Sequence, residues 1–347
     1  MPQYGVLVVD DSALMRRAIS KWVESDPQCF VVGLARNGIE AVEKAQRLKP
    51  DVITMDVEMP GMDGLTALQQ IMQLCPVPVV MLSSYTDSGT IATLEALERG
   101  AVDFFLKESL FESASTKYDQ DYLVRLKAAA KAKVQGYLEP AKTVSAPDTS
   151  MKRAEPSKID FIIIGCSTGG PSALQSILPR FTSDFLVPIL VVQHMPPGFT
   201  KPLADRFNQM CKLQVREAED GDTIQTGTIL VAPAGFQTVL QRRGNGEIKV
   251  QIKSQTPLET LYKPSIDVTV ASASTVYADK LLAVILTGMG ADGLHGCKRV
   301  KECGGHVISE SEETCIVYGM PKVVHEAGYS DRQSPLPEIY EQILSFI

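Results

Sequence analysis

Residues 6–11 read Val-Leu-Val-Val-Asp-Asp, an apolar run that stops on two carboxylates. Four apolar residues without alternation suit a strand covered on both faces, as in a parallel sheet under helices. The pattern repeats outward, because apolar runs at Phe30–Leu34, Val52–Met55, Val77–Leu82 and Val102–Leu106 alternate with segments of helical period. Such alternation predicts five β/α units around a parallel sheet. A last helical stretch from about Tyr118 to Gln135 ends at Gly136. Between there and Lys158 stand Pro140, Pro147 and Pro156 among polar residues, a composition that cannot bury a core and reads as a linker. The expected organisation is a first domain over 1–135, a linker over 136–157 and a second domain over 158–347.

A second alternating series starts at Phe161–Gly165 and continues through Val187–Gln193, Ile229–Ala232 and Leu281–Leu286. It predicts a doubly wound parallel α/β domain. Leu240–Gln251 differs, since Asn245-Gly246 between alternating segments predicts an antiparallel hairpin in or beside that sheet. A chain of 347 residues is long enough for two cores. Its net charge of −7 and pI near 5.3 argue against a nucleic-acid partner. Seven scattered cysteines without C-x-x-C indicate a reducing compartment. No export signal and no apolar stretch of membrane-spanning length is evident, so a cytoplasmic protein without membrane insertion is expected.

In an open parallel sheet the C-terminal strand ends share one edge, so the residues ending different strands meet. In the first half those ends carry Asp10-Asp11, Asp56, Ser83 and Lys107. Crowded carboxylates without His or Cys suit a hard cation such as Mg²⁺. A carboxylate beside such a cation can accept a phosphoryl group, whose oxygens Ser83 and Lys107 can bind. Taken singly, Asp11 reads as the N-cap of a helix near Ala13, Asp56 as the start of a turn and Lys107 as a solvated cation.

In the second half the first strand breaks into Gly165-Cys166-Ser167-Thr168-Gly169-Gly170-Pro171, a G-x-S-x-G between strand and helix that lets Ser167 project. The next strand ends in Gln193-His194-Met195-Pro196-Pro197, and a later one in Thr287-Gly288-Met289-Gly290-Ala291-Asp292-Gly293. Nucleophile, base and orienting carboxylate thus all end strands of one sheet. The order Ser, His, Asp is not the Ser, Asp, His of α/β-hydrolases. Backbone N–H groups of Thr168, Gly169 and Met289 are oxyanion candidates. Competing readings are a dinucleotide cradle at the glycines, a core histidine at 194, and Asp292 as N-cap of the helix running toward Glu302. His295, Cys297, Cys303 and His306 have zinc-like residue types, but residues two apart on a helix point in nearly opposite directions.

Val-Asp-Asp-Ser (9–12), Met-Asp-Val-Glu-Met-Pro-Gly-Met-Asp-Gly (55–64) and Phe-Leu-Lys (105–107) resemble the flavodoxin-like receiver domains of response regulators. That resemblance implies Asp56 as phosphoacceptor, Mg²⁺ held by Asp10, Asp11, Asp56 and the Glu58 backbone carbonyl, and Ser83 and Lys107 as phosphate sensors. Lys107 is followed by Glu108, where receivers often carry proline. Gly-Cys-Ser-Thr-Gly-Gly (165–170), Val-Val-Gln-His-Met-Pro-Pro-Gly-Phe-Thr (191–200), Lys-Pro-Ser-Ile-Asp (263–267), Leu-Thr-Gly-Met-Gly-Ala-Asp-Gly (286–293) and Val-Tyr-Gly-Met-Pro (317–321) resemble the methylesterase domain of chemotaxis response regulators. Cys166 stands where Ala or Thr is common. The joint resemblance implies hydrolysis of glutamate γ-methyl esters on chemoreceptor cytoplasmic helices, and glutamine deamidation by the same acyl chemistry. It further implies a sensor histidine kinase as phosphodonor, activation by phosphorylation, and no cofactor beyond Mg²⁺ in the receiver. A binding adaptor with a vestigial Ser167 is the main rival; a transcriptional output is disfavoured for want of a helix-turn-helix or basic face.

Overall fold

The computed structural model describes residues 3–84, 86–110, 117–132, 134, 159–244, 246–256 and 260–347. The chain divides into two compact units, Met1–Ser157 and Lys158–Ile347. The expected linker over 136–157, the helix end at Gln135-Gly136 and the hairpin residue Asn245 lie outside the described residues.

The first unit runs β1 (Tyr4–Val9), α1 (Ala13–Val23), β2 (Cys29–Ala35), α2 (Gly38–Leu48), β3 (Val52–Asp56), α3 (Gly64–Leu74), β4 (Val79–Ser83), α4 (Asp87–Glu98), β5 (Asp103–Leu106) and α5 (Lys117–Ala129). Its sheet has the order β2-β1-β3-β4-β5, all parallel. Every residue of β1, β3, β4 and β5 is buried, which is why those runs carry no alternation. The chain leaves β1 to one side and returns on the other, so the crevice at the switch point falls between the ends of β1 and β3. The helices after these strands are capped by their own side chains: Ser12, Asn37, Asp63 and Thr86 each accept a hydrogen bond from the first turn. Ser12, and not Asp11, is therefore the cap of α1, which leaves Asp11 exposed and free for other work.

The second unit contains β6 (Phe161–Cys166), α6 (Gly170–Ile177), β7 (Ile189–Gln193), α7 (Thr200–Met210), β8 (Gln214–Glu217), β9 (Thr228–Val231), β10 (Gln237–Arg242), β11 (Ile248–Lys253), α8 (Ile266–Tyr277), β12 (Leu281–Ile285), α9 (Leu294–Glu302), β13 (His306–Glu310), α10 (Met320–Glu326), β14 (Arg332–Ser334) and α11 (Leu336–Leu344). A seven-stranded parallel sheet has the order β14-β13-β12-β6-β7-β9-β8. The predicted hairpin is present as β10 and β11, which form an antiparallel sheet of their own. Strands β8, β13 and β14 are additions to the sequence reading. β8 and β14 are short, with half-buried or exposed residues, and so lack the apolar run that marks a central strand. One core packs Phe161, Leu190, Ile266, Val270, Ile285, Val307 and Met320 between the sheet and its helices. Within it Cys297 is fully buried while His295 is exposed, so these two point apart.

Candidate functional site

In the second unit β12, β6 and β7 are adjacent, and the order reverses beside β6, so their C-terminal ends border the switch-point crevice. Ser167 follows β6 and His194 follows β7. The preceding residues Cys166 and Gln193 are register partners, and the His194 N–H donates to the Cys166 carbonyl at 3.1 Å. The sheet itself therefore sets Ser167 and His194 on neighbouring strand ends. Asp292 comes from the loop after β12. Its Oδ2 lies 2.8 Å from His194 Nε2, and both side chains are nearly buried. His194 Nδ1 is also buried and has no partner among the described residues. With Nε2 committed to Asp292, Nδ1 is the ring atom left to exchange a proton with a hydroxyl.

Asp292 does not cap its own helix. Gly293 holds the N-cap of α9 without a side-chain bond. Asp292 instead receives Ile266 N at 2.8 Å on Oδ2, and Ser265 Oγ and Asp267 N, both at 2.9 Å, on Oδ1. It thus caps α8, and Asp267 at the start of α8 returns the contact by accepting Gly293 N at 3.0 Å and Gly296 N at 2.6 Å from α9. Two helices exchange caps through their carboxylates. Burial pushes the Asp292 carboxyl up, but bonds from His194 and the α8 N-terminus outweigh it and hold the group below the usual carboxylate range. Asp267, also desolvated and close to the Asp292 charge, is raised.

The loop bearing Ser167 is fixed by residues that sequence reasoning missed. Thr287 accepts the Ser167 N–H at 3.0 Å on its carbonyl and sets its hydroxyl 3.0 Å from the Thr168 carbonyl. The Thr287 N–H in turn donates to the fully buried Glu310 at 2.8 Å. Gln193 Nε2 donates to the carbonyls of Ser167 at 3.0 Å and His194 at 2.9 Å, and its Oε1 accepts from the buried Cys166 thiol at 3.0 Å. Cys166 thus fills the small space expected of it and steadies this clamp. Gln193 stands inside the quoted Val-Val-Gln-His motif, but nothing in its spacing marks it as more than a strand residue.

Two glycines make room here. Gly169 has φ of 79° at the N-cap of α6, a left-handed conformation that favours glycine. A Cβ on Gly288 would stand 2.7 Å from Ser167 Cβ, so the β12 loop can approach the serine only without a side chain at that position. The Ser167 N–H is used by Thr287. Among the described residues the N–H groups of Gly169 and Met289 donate to nothing.

The first unit brings the carboxylates together as expected. One oxygen from each of Asp10, Asp11 and Asp56 lies within 4.8 Å of the others, with Asp10 and Asp56 buried and Asp11 exposed. Lys107 Nζ sits 2.9 Å from Asp10 Oδ2 and 2.7 Å from Asp56 Oδ2, so the Glu108 departure does not displace the ammonium group. Burial pushes the Asp56 carboxyl up to about 6, with Asp10 adding to the rise and Lys107 opposing it. Asp56 Oδ1 also accepts the Glu58 N–H, at 3.3 Å. Ser83 is placed differently: its hydroxyl is buried 2.7 Å from that of Thr93 and within reach of the Ser84 and Gly89 carbonyls, and it touches none of the carboxylates. Three carboxylate oxygens gathered this closely are a hard donor set that would fit Mg²⁺.

The description "CheB methylesterase" belongs to a family model that matches residues 162–343, and "response regulator receiver domain" to one that matches residues 6–116. Proteins named protein-glutamate methylesterase/protein-glutamine glutaminase are similar over nearly the whole chain. That of Archaeoglobus fulgidus is 44% identical, covering 99% of this chain and 97% of its own. Those of Thermotoga maritima and Aliivibrio fischeri are 43% and 42% identical over 99% and 98% of this chain, and over 98% and 97% of their own. The crystal structure of the T. maritima CheB methylesterase catalytic domain superposes with a TM-score of 0.53 at 43% identity, covering 55% of this chain and 99% of that one. Among the described residues no helix is long and apolar enough to cross a membrane.

Proposed function

This chain belongs to the CheB methylesterase family with an attached receiver domain, and from that premise we propose that it hydrolyses glutamate γ-methyl esters on chemoreceptor helices through Ser167, His194 and Asp292. His194 Nδ1 takes the proton of Ser167 Oγ as the oxygen adds to the ester carbonyl, while Asp292 holds Nε2 and stabilises the imidazolium. The N–H groups of Gly169, Met289 and Thr168 are the donors proposed for the oxyanion. Nδ1 then returns the proton to the leaving methoxide, and methanol departs from an acyl-Ser167. Water, deprotonated by the same nitrogen, adds to the acyl group and releases glutamate and free serine. A glutamine side chain follows the same path with ammonia as leaving group, in keeping with the names of the relatives.

The observation that carries this reading is the imidazole anchored at one nitrogen, with its other nitrogen buried and unpaired beside the strand end that bears Ser167. The test is methanol release from a methylated chemoreceptor cytoplasmic fragment by wild type and Ser167→Ala. No release by wild type leaves the adaptor reading in its place, and release by Ser167→Ala at the wild-type rate removes Ser167 as the nucleophile.

The receiver is proposed to switch this activity. Asp56 accepts the phosphoryl group from a sensor histidine kinase, and Mg²⁺ would be held by Asp10, Asp11, Asp56 and the Glu58 carbonyl. The cation, when bound, offsets negative charge at the phosphoryl group. Lys107, already 2.7 Å from Asp56, would pair with a phosphoryl oxygen, and Ser83 would join it by exchanging its Thr93 contact.

A further inference from the structure

His194 is held at its edge by Asp292, but a ring gripped at one atom can still tip about that bond. The face of the ring is covered by Tyr262, whose centroid lies 4.1 Å away with 14° between the planes. Tyr262 stands in the connection between the hairpin and α8, outside the strand ends that deliver the other site residues. Its backbone is tied down by Gln237, the first residue of β10, which is fully buried. Gln237 Nε2 donates to the Tyr262 carbonyl at 2.9 Å and lies 2.7 Å from Thr260 Oγ1. The other end of the same amide, Oε1, accepts Ser265 N at 2.8 Å, and Ser265 Oγ donates to Asp292 Oδ1 at 2.9 Å. The contacts close a ring: Gln237 to Tyr262, Tyr262 to the face of His194, His194 to Asp292, Asp292 to Ser265, and Ser265 back to Gln237.

We propose that Tyr262 is a positioning residue for the catalytic base, and that the hairpin serves the reaction by supplying Gln237 as the common anchor of the imidazole's face and edge supports. This inference rests on the assignment of His194 as base. Two planar rings stacked with a small tilt resist rotation of either out of plane. The restraint matters because proton transfer between Nδ1 and a serine hydroxyl needs the ring nitrogen aimed to within a fraction of an ångström, and a misplacement of about 1 Å costs on the order of 100-fold in rate. The contact is made by the ring, so phenylalanine preserves it and leucine does not.

The experiment uses the full chain and methanol release from a methylated chemoreceptor fragment. Tyr262→Leu is expected to lower kcat about 10- to 100-fold with KM unchanged. Tyr262→Phe is expected to stay within about twofold of wild type, as a rescue by the conservative ring. In the His194→Ala background Tyr262→Leu should add nothing, because the brace has no base to hold. Gln237→Met, which keeps the bulk and removes both polar arms, should lower kcat in the same sense by a smaller factor, and it tests the brace if Tyr262→Leu loses its thermal transition. A kcat unchanged in folded Tyr262→Leu overturns the proposal. So does a rise in KM with kcat unchanged, which makes Tyr262 a substrate contact, and so does a further loss in the His194→Ala background. If Ser167→Ala and His194→Ala keep their activity, the assignment of Ser167 as nucleophile and His194 as base has failed; if they are inactive while Tyr262→Leu is unimpaired, only the brace has.

Discussion

Asp56 and Asp292 are two desolvated carboxylates at the C-terminal edges of parallel sheets, and their acidities move in opposite directions. Burial dominates at Asp56 and pushes it up to about 6, whereas Asp292 is held below the ordinary range. The difference lies in the donors each receives. Asp292 has four from its own unit: His194, Ser265, Ile266 and Asp267. Asp56 has one ammonium, which it shares with Asp10, and one long N–H bond. The proposed roles fit this difference: a carboxylate meant to stay ionised beside a cycling histidine is supplied with donors by the fold, and one proposed to accept an incoming group keeps its charge poorly compensated.

The largest effects are expected at the sheet edge that carries Ser167 and His194. Ser167→Ala, His194→Ala and the double variant are each expected to lose about 10³-fold or more in kcat, and by similar factors, because triad members act as a unit. Single losses that multiply in the double variant would mean that serine and histidine serve separate steps. Asp292→Asn comes next. On the sequence alone this change should impair the reaction and leave the fold intact, but an amide NH₂ in place of either oxygen faces two of the four donors and cannot accept from them. The expected result is therefore a loss of at least about 10²-fold in kcat together with about 1–2 kcal/mol of stability through the lost cap on α8. Denaturation and methanol release on the same preparation separate the two effects.

At the receiver the effect is on regulation. Asp56→Ala should abolish stimulation by a small-molecule phosphodonor while leaving basal hydrolysis unchanged, and a fragment starting near Lys158 should exceed the unphosphorylated full chain in rate. Equal rates for the two remove the receiver as an inhibitor. The raised pKa of Asp56 also predicts a pH effect on stability. A carboxyl near 6 in the folded state and at its ordinary 3.8 when unfolded binds more protons when folded, so its contribution to stability falls as pH rises from about 4 through 6. Without divalent cation, Asp56→Asn should then be more stable than wild type at pH 7, by an order of 1–3 kcal/mol, and the gap should shrink as pH falls through 6. Trp22 is the sole tryptophan and lies in the receiver, so its fluorescence follows that unit's unfolding alone. A gap independent of pH would show that Lys107 compensates Asp56 fully.

The strand ends were legible because unalternating apolar runs stop on polar residues. Asp10, Asp56, Lys107 and His194 stand at the ends of such runs, Ser167 also needs its G-x-S-x-G turn and Asp292 the glycine-rich loop after its strand, and within each unit the parallel sheet brings the strand ends to one edge. Supports from elsewhere left no such mark. Gln193 and Thr287 look like ordinary strand-end residues, Glu310 like one more acidic side chain, and Tyr262 and Gln237 belong to a hairpin and a connection with no motif of their own. Their roles depend on tertiary contacts between segments far apart in sequence. Ser83 was found at the right strand end, but its hydroxyl turns to Thr93, a choice of rotamer that no spacing encodes.

The smallest expected effect isolates what is special about Asp292 within its own motif. Asp267 and Asp292 stand in mirror roles, each accepting N–H groups from the other's helix, yet only Asp292 also faces His194. If the crossed caps were the whole of Asp292's function, the two positions would respond alike to Asp→Asn. Asp267 spends a single oxygen on Gly293 and Gly296, and the Asn amide oxygen can accept the same two bonds. Removing its charge also relieves repulsion with Asp292, which offsets part of the weakened attraction to the α9 N-terminus. Asp267→Asn should therefore change stability by no more than about 0.5 kcal/mol and kcat by no more than about threefold. Asp267→Ala, which deletes the acceptor, should cost about 1 kcal/mol in denaturation without joining Asp292→Asn in its rate loss. A rate loss in Asp267→Asn as deep as that in Asp292→Asn would assign both carboxylates to the chemistry and end the distinction between cap and orienter drawn here.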